Sequence, residues 1–193
     1  MPYYHPRYHH IFALATFIVV LASSFVVHGL ETLTDVNFKT AVNLWIDDNP
    51  TALATYGNIV DWETSRVTDM KDAFKSKTTF NGDISKWDVS NVVTLEGTFN
   101  GAYGFNADLS SWKIGSVTSL QYTFHYAKKF NANLSAWNTS SVINMYKFFW
   151  NADVFDQELS TWDVSKVTSM SGTFVNAKKF TSDLSTWDVS KVT

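Results

Sequence analysis

The nine residues Ile84-Ser-Lys-Trp87-Asp-Val89-Ser90-Asn-Val92 decide the fold, because close copies of them return every 25 residues until the sequence ends. The copies begin at the apolar residues Ile59, Ile84, Leu109, Leu134, Leu159 and Leu184. A tryptophan follows three residues after the start of each copy. A fixed period between about 20 and 50 residues is typical of stacked repeats rather than of one globular core. The sequence therefore predicts a protein built by stacking one unit.

The composition excludes several classes of function. The chain has 193 residues, a net charge of -3 and no cysteine. Because the charge balance provides no basic stripe for a phosphate backbone, we expect no nucleic-acid partner. The lack of cysteine removes disulfides, thiol catalysis and thiolate metal sites. Stability must then come from the stacking of the repeats.

The N-terminus carries an export pattern. Residues 11–27 read IFALATFIVVLASSFVV and follow a leader with one firm positive charge, Arg7. This pattern predicts a signal peptide over residues 1–29, cleaved after Gly29. An uncleaved signal anchor stays open, because the apolar run is close to the shortest that crosses a bilayer. We therefore expect a secreted or cell-surface protein, which contacts a membrane only if residues 11–27 are retained.

Residues 30–61 lack the full repeat but end in its register, and we interpret them as an N-terminal capping segment. Apolar residues recur there with helical spacing at Phe38, Ala41, Val42, Trp45 and Ile46. The pair Asn49-Pro50 should end this helix. An amphipathic helix would cover the apolar flank of the first repeat, which has no earlier neighbour.

Residues 62–193 hold five repeats and the start of a sixth. The form Ile84-x-x-Trp87-x-Val89 predicts a short strand whose alternate residues point inward. After it comes a column that contains only helix-capping residue types, namely Asp69, Thr94, Ser119, Asn144 and Ser169. Apolar residues then recur at i, i+4 and i+7, which predicts a short helix. The expected fold is an α/β repeat solenoid, leucine-rich-repeat-like, with one short parallel strand and one short helix in each 25-residue coil.

Two further columns follow the predicted helix. One is apolar and consists of Phe80, Phe105, Phe130, Phe155 and Phe180. The next is polar and consists of Asn81, Asn106, Asn131, Asp156 and Thr181. We interpret the polar column as an asparagine ladder that satisfies backbone groups at a corner of each coil.

The unit at residues 162–186 resembles the repeat of the BspA-like leucine-rich-repeat surface proteins, which also occurs in surface lipoproteins of the mycoplasma type. Its pattern is W-D-V-S-x-V-T-x-M-x-x-T-F-x-x-A-x-x-F-N-x-D-L-S-x, with Thr181 in place of the asparagine. The resemblance covers residues 62–193 and implies an exported or surface-displayed protein with adhesive or protein-binding roles. It implies no catalytic residues. Lys77 and Gly115 depart from the pattern, and the sequence has no lipobox cysteine that would imply a lipid anchor.

The outward positions of the predicted strand form a candidate binding strip on the concave face. One column of this strip contains Lys86, Ser111, Ala136, Thr161 and Thr186. The column beside it contains Glu63, Asp88, Lys113, Asn138, Asp163 and Asp188. Such a strip is the default contact surface of a repeat protein, and its partner would be a protein or a glycan at a cell surface. A solvated face without a partner is the alternative, because the strip has no large aromatic residue to act as an anchor.

Three other features suggest sites. The column of Asp83, Asp108, Asn133, Glu158 and Asp183 is better explained by turns than by calcium, so we expect no metal or other cofactor. Tyr146, Phe148 and Trp150 make one predicted helix unusually aromatic, and either a contact spot or packing against a neighbouring turn would explain it. Asn133 and Asn138 match the N-glycosylation pattern, which matters only in a eukaryotic secretory route.

The sequence predicts no enzyme. Beyond the N-terminal 29 residues its single histidine is His125, and no nucleophile lies beside a base in the pattern. We expect an interaction or adhesion module that binds through its repeat surface. The alternative is a structural envelope protein that associates with itself through the open end of the repeat array near Thr193.

Overall fold

The computed structural model describes residues 30–193, and its helices lie at the beginning of this range. Helix α1 spans Phe38–Asp47, helix α2 spans Asn49–Tyr56, and a short 3-10 helix covers Ile59–Asp61. The predicted signal peptide or signal anchor at residues 1–29 lies outside the described residues and stays a prediction. Along residues 30–193, no helix is long and apolar enough to cross a membrane.

Helix α1 is amphipathic, as the spacing of its apolar residues predicted. Phe38, Ala41 and Val42 are buried, while Trp45 packs partly buried against the core. The Trp45 ring lies 6.1 Å from the ring of Trp62, the tryptophan of the first repeat. The helix therefore covers the apolar flank of the first repeat.

The pair Asn49-Pro50 separates two helices. Helix α1 ends at Asp47, and Asp48 then accepts a hydrogen bond from the Thr51 amide at 3.3 Å as the N-cap of α2. Proline is well tolerated in the first turn of a helix because its missing amide would have no partner there. The prediction of one helix that stops at the proline was therefore incomplete.

The prediction of an α/β leucine-rich-repeat-like solenoid is wrong. From residue 62 to residue 193, the structure contains neither an α-helix nor a β-strand. Pairing between parallel segments is limited to isolated bridges, which join Asp69 to Thr94, Thr94 to Ser119, Ser119 to Asn144, and Asn144 to Ser169. The repeats are instead built from consecutive tight turns, and each repeat hydrogen bonds to the next.

The predicted helices fail because every second amide bonds to the neighbouring repeat. The Met70, Asp72 and Phe74 amides donate to carbonyls of the next repeat at 2.8 to 3.2 Å. The intervening Ala73 and Lys75 amides donate to carbonyls three residues earlier. An α-helix would need all of these amides to donate four residues back along the same segment. The i, i+4, i+7 spacing therefore reflects a row of turns with one buried face.

The predicted strands fail for a similar reason. In the second repeat, the Trp87 amide donates to the Ile84 carbonyl and the Val92 amide donates to the Val89 carbonyl. Each bond closes a turn of four residues, so the segment cannot extend. The side chains nevertheless point inward as predicted, because Ile84, Trp87 and Val89 are buried.

The column predicted to cap helices caps turns instead. The Asp69 and Asn144 side chains accept the amides of Lys71 and Tyr146, two residues later, at 2.7 and 2.9 Å. This is the Asx-turn geometry that these residue types favour outside helices. The same column makes the four parallel bridges, so it marks where neighbouring repeats are joined.

Stacked aromatic side chains fill the core. The rings of Phe99 and Phe124 are 5.6 Å apart and those of Phe105 and Phe130 are 5.9 Å apart, with neighbouring rings nearly parallel. The Trp112 indole N–H donates to the Ile84 carbonyl at 3.0 Å. The same bond is made by Trp87, Trp137, Trp162 and Trp187. Burying one such side chain contributes about 1.5 to 3 kcal/mol, which explains how a chain without disulfides stays folded.

The asparagine ladder is present. The Asn106 amide donates to the Asn81 side chain at 2.7 Å, and the Asn131 amide donates to the Asn106 side chain at the same distance. Asp156 and the Thr181 amide continue the ladder to the last complete repeat. Within residues 30–193, no buried side-chain nitrogen or oxygen lacks a hydrogen-bond partner.

Candidate binding surface

The residues of the predicted strip lie exposed, side by side, on one face of the repeats. Much of their hydrogen-bonding capacity is already used inside the fold. Asp88, Asn138, Asp163 and Asp188 each accept the amide of the serine two residues later, at 3.0 to 3.1 Å. These side chains therefore hold turns.

The hydroxyl column of the strip is also used inside the fold. Ser111, Thr161 and Thr186 donate to backbone carbonyls of the preceding repeat. Lys86 lies 3.8 Å from Asp61 in an exposed ion pair, and Glu63 and Ala136 are exposed beside them. Most side chains of the strip therefore hydrogen bond within the fold while staying exposed, and a role of the strip in binding stays a prediction.

Lys113 interrupts the acidic column of the strip. A shallow depression of about 260 Å³ lies beside it, lined by Trp87, Asp88, Val89, Ser90, Ser111 and Lys113. Hydrogen bonds from the Ser90 hydroxyl and amide lower the pKa of Asp88, and the charge of Lys113 adds to this effect. Trp87 is only 3% exposed and offers no aromatic face to a partner. The depression therefore has no exposed aromatic side chain that could anchor a partner.

The other two predicted features have local explanations. Asp83 accepts both the amide and the hydroxyl of Ser85, at 3.0 and 2.7 Å. Asp108, Asn133 and Asp183 accept a serine amide in the same way, whereas Glu158 accepts the Ser182 hydroxyl instead. Both predicted glycosylation sites, Asn133 and Asn138, are exposed. The Asn133 side chain accepts the Ser135 amide in another such turn.

A second surface presents six aromatic rings and two lysines, which we call the aromatic patch. Its members are Tyr103, Tyr122, His125, Tyr126, Tyr146, Trp150, Lys128 and Lys147. They come from the turn segments that were predicted as helices, in the middle of the repeat stack. Tyr103 and Tyr126 are 45% and 37% exposed, and the other four rings are half-buried. Only Tyr146 and Trp150 were singled out from the sequence as an aromatic contact spot.

The rings of the aromatic patch form one continuous contact chain. The Tyr103 ring lies 6.5 Å from Tyr126, which lies 4.6 Å from His125. His125 contacts Tyr122 at 5.2 Å and Trp150 at 6.4 Å between ring centres. Tyr146 extends the chain beyond Tyr122, at 5.3 Å. Three consecutive repeats therefore contribute to a single surface.

A lysine lies over the rings at each end of the chain. The Lys128 ammonium lies 5.3 Å from the centre of the Tyr103 ring. The Lys147 ammonium lies 4.5 Å from Trp150 and 5.1 Å from Tyr146. These are cation–π distances. Among residues 30–193, none of the five ion pairs includes either lysine, so the patch has no carboxylate partner for their charge.

His125 lies at the centre of the patch and is held in place. Its Nδ1 is 2.9 Å from the Asn100 side-chain oxygen, which favours a proton on Nδ1. Burial lowers the pKa of His125, and the positive charge of Lys147 lowers it further. Burial also raises the pKa of Tyr122, as does the neighbouring Tyr146. The imidazole and the phenol are therefore both neutral at pH 7, and the lysines supply the positive charge.

Tyr122 and Tyr126 occupy an unusual backbone conformation. Both have φ of 58°, in the left-handed region where bulky side chains are rare. The positions equivalent to Tyr126 in other repeats hold Ser76, Gly101, Asn151 and Asn176, also with positive φ. Glycine and asparagine adopt this conformation at least cost. The tyrosines therefore stand where the fold itself favours a smaller residue.

Gly172 makes room for Trp150. Its φ is +71°, and a Cβ atom at this position would lie 2.8 Å from two carbons of the Trp150 ring. Of the three aromatic residues noted in this segment, Phe148 is explained by packing, because its ring is fully buried against Phe149, with 4.1 Å between the ring centres. Phe148 occupies the position that is threonine in other repeats, as at Thr123. The side chains of this column point inward because the segment is a row of turns rather than a helix.

The repeats match a known family. Residues 48–157 and 132–193 match the family described as "Mycoplasma protein of unknown function, DUF285". Together these matches cover well over half of the chain. The chain belongs to this family. Both the strip and the aromatic patch lie within the residues that match DUF285. Comparison with curated proteins finds no significant match.

Proposed function

We propose that this DUF285 protein is an exported interaction module that binds a partner at a cell surface through its aromatic patch. Export is supported by the signal-like pattern of residues 1–29, and a surface role by the resemblance of the repeats to BspA-like surface proteins. An interaction role agrees with the fold. Its repeated polar side chains stabilise turns and an asparagine ladder, so the repeats form a regular scaffold that can display other side chains for binding.

The backbone of the patch tyrosines carries this proposal. A left-handed conformation costs a bulky residue on the order of 1 to 2 kcal/mol, and such strain is commonly found at functional sites. Tyr126 accepts this cost while it stays 37% exposed, in a column where the other repeats have serine, glycine or asparagine. Tyrosine and tryptophan are also the residues most enriched among binding anchors. A role outside folding explains why these rings are present.

The patch serves better than the strip because it presents accessible aromatic rings, which are enriched at binding interfaces. The strip exposes no aromatic ring, and most of its side chains hydrogen bond within the fold.

Retention of the full chain on immobilised surface polymers tests the proposal. The panel contains collagen, gelatin, dextran, polygalacturonate and methyl-esterified pectin. Tyr103→Thr introduces the residue of the equivalent position Thr78, and Lys113→Asn introduces that of Asn138 in the strip. We expect saturable retention on at least one polymer, at least fivefold weaker for Tyr103→Thr and unchanged for Lys113→Asn. Loss with Lys113→Asn alone, or no retention on any polymer, would contradict the proposal.

A further inference from the structure

We infer that the partner of the aromatic patch is a carboxylated polysaccharide, a chain of sugar rings that carries uronic acid groups. This inference rests on the proposed function and adds the chemistry of the ligand. It follows from three properties of the patch. These are its two lysines, its continuous chain of aromatic rings, and a backbone whose amides and carbonyls are already hydrogen bonded between repeats.

The charge of the patch favours an anionic ligand. Lys128 and Lys147 lie over aromatic faces at opposite ends of the patch, and no ion pair among the described residues involves them. Glu96, a carboxylate whose charge acts on Tyr122, is paired with Lys71 at 2.8 Å. The patch therefore presents two lysines without an ion pair among the described residues, although the whole chain has a net charge of -3. A ligand with well-separated negative groups fits two separated lysines.

The chain of rings favours sugars. Tyr103, Tyr126 and Trp150 offer apolar ring surface. The tyrosine hydroxyls and the Asn100 amide, whose oxygen lies 2.9 Å from His125 Nδ1, provide polar groups in the same patch. A sugar ring has an apolar face and a polar rim of hydroxyls, so it needs both kinds of contact at once. Side-chain amides and phenols both donate and accept hydrogen bonds, which suits hydroxyl groups.

The backbone under the patch leaves no edge for a peptide. The Tyr122 and Tyr126 amides donate to the Tyr146 and Trp150 carbonyls at 3.0 and 2.8 Å, and the His125 carbonyl accepts from Gly101. Because these groups are paired within the stack, an extended peptide could not add a strand here. An acidic peptide would have to bind through side chains alone.

Single-stranded nucleic acid is also less suitable. Binding it usually requires a positively charged groove that follows several successive phosphates, in addition to stacking rings. The patch supplies one lysine at each end and a neutral His125 between them. Sparse charge of this kind matches a polymer in which carboxylates are separated by neutral ring surface.

Titration calorimetry with the full chain tests the inference. The probe is polygalacturonate, and methyl-esterified pectin is the matched neutral polymer with the same sugar backbone. We expect polygalacturonate to bind at least tenfold more tightly than the ester. Lys147→Gln should weaken this binding at least fivefold, whereas Lys86→Gln, which removes one charge from the strip, should leave it unchanged.

Other outcomes overturn the inference. Equal affinity for the two pectins would exclude a role for the carboxylates, and tighter binding of polyglutamate or oligothymidylate would assign the patch to a protein or to a nucleic acid. Retention on collagen that depends on Tyr103, without binding to polygalacturonate, would refute the inference and keep the proposed function. Failure of Tyr103→Thr to affect retention on any polymer would refute the proposed function itself.

Discussion

At the scale of single residues, the tryptophan column combines packing with a hydrogen bond that no other side chain could supply. Trp112 is 2% exposed, and its indole N–H reaches the Ile84 carbonyl at 3.0 Å. The same carbonyl accepts the Trp87 amide, so one oxygen joins two successive repeats. Tryptophan is therefore required in this column for its donor as well as for its size.

Replacing Trp112 by phenylalanine should lower the free energy of unfolding by about 2 to 4 kcal/mol. The change removes one buried hydrogen bond and leaves a cavity beside the stacked rings. Urea denaturation measures the loss. The same change at Trp187, where the ring is half-buried, should cost less. Equal losses of unfolding free energy at both positions would contradict the claim that the cost depends on how deeply the tryptophan is buried.

The left-handed positions show why prediction at the residue scale was incomplete. The column of Tyr126 contains serine, glycine and two asparagines, which are signals for positive φ rather than for a helix. The spacing of Leu120, Phe124 and Ala127 fits a helix and a row of turns equally well. Only the composition of the outward columns distinguishes them, and the aromatic patch lies in those columns.

At the scale of elements, one carboxylate makes three hydrogen bonds from the capping segment to the first repeat. Asp35 accepts the amides of Thr68 and Asp69 at 2.7 and 3.0 Å, and also the Thr68 hydroxyl at 2.6 Å. Asp35 thereby takes the place of the backbone acceptor that a preceding repeat would provide. In later repeats this acceptor is a carbonyl, as where the Thr118 amide donates to Val93.

Removing this carboxylate should loosen the junction. We expect Asp35→Ala to lower the free energy of unfolding by about 1 to 2 kcal/mol, as loss of a capping side chain does in helices. Hydrogen exchange should rise first in helix α1. Asp61→Ala, which removes only an exposed ion pair with Lys86, should cost under about 0.5 kcal/mol and serves as the control. Equal losses of unfolding free energy for the two variants would contradict the claim that the Asp35 hydrogen bonds stabilise the junction.

The turn-forming aspartates make the free energy of unfolding depend on pH. Hydrogen bonds from Ser85, Ser90 and Ser110 lower the pKa of Asp83, Asp88 and Asp108, and the later repeats add Asp163, Asp183 and Asp188. Burial alone would raise the pKa of Asp35, but hydrogen bonds from Thr68 and Asp69 lower it overall. A carboxyl whose pKa is lowered in the folded state stabilises that state only while ionised.

The free energy of unfolding should therefore be constant above about pH 5 and fall as the pH drops below about 4, toward the lowered pKa values. Urea titrations at several pH values measure this directly. Because the turns repeat, the loss should be spread along the stack rather than confined to one end. A free energy of unfolding that rises on acidification would contradict the role of these carboxylates.

At the scale of the whole molecule, the period of the sequence predicted stacking, the inward columns and the capping helix. It did not predict the type of local structure, because leucine-rich and turn-built repeats share the same alternation of buried and exposed residues. The strip was predicted on a concave strand face, and residues 62–193 contain no strand. The patch draws on Tyr103, Tyr126 and Trp150 from three repeats, so only the stack reveals it.

The most direct test of the central claim is to measure stability and binding together for Tyr126→Asn. The new residue is that of Asn151 and Asn176 at the same backbone conformation. Since relief of strain should offset the loss of a partly exposed ring, we expect the midpoint of urea unfolding to stay equal or rise. Retention on the bound polymer should fall at least fivefold. A loss of more than about 2 kcal/mol in stability with retention intact would instead make Tyr126 a structural residue and contradict the account.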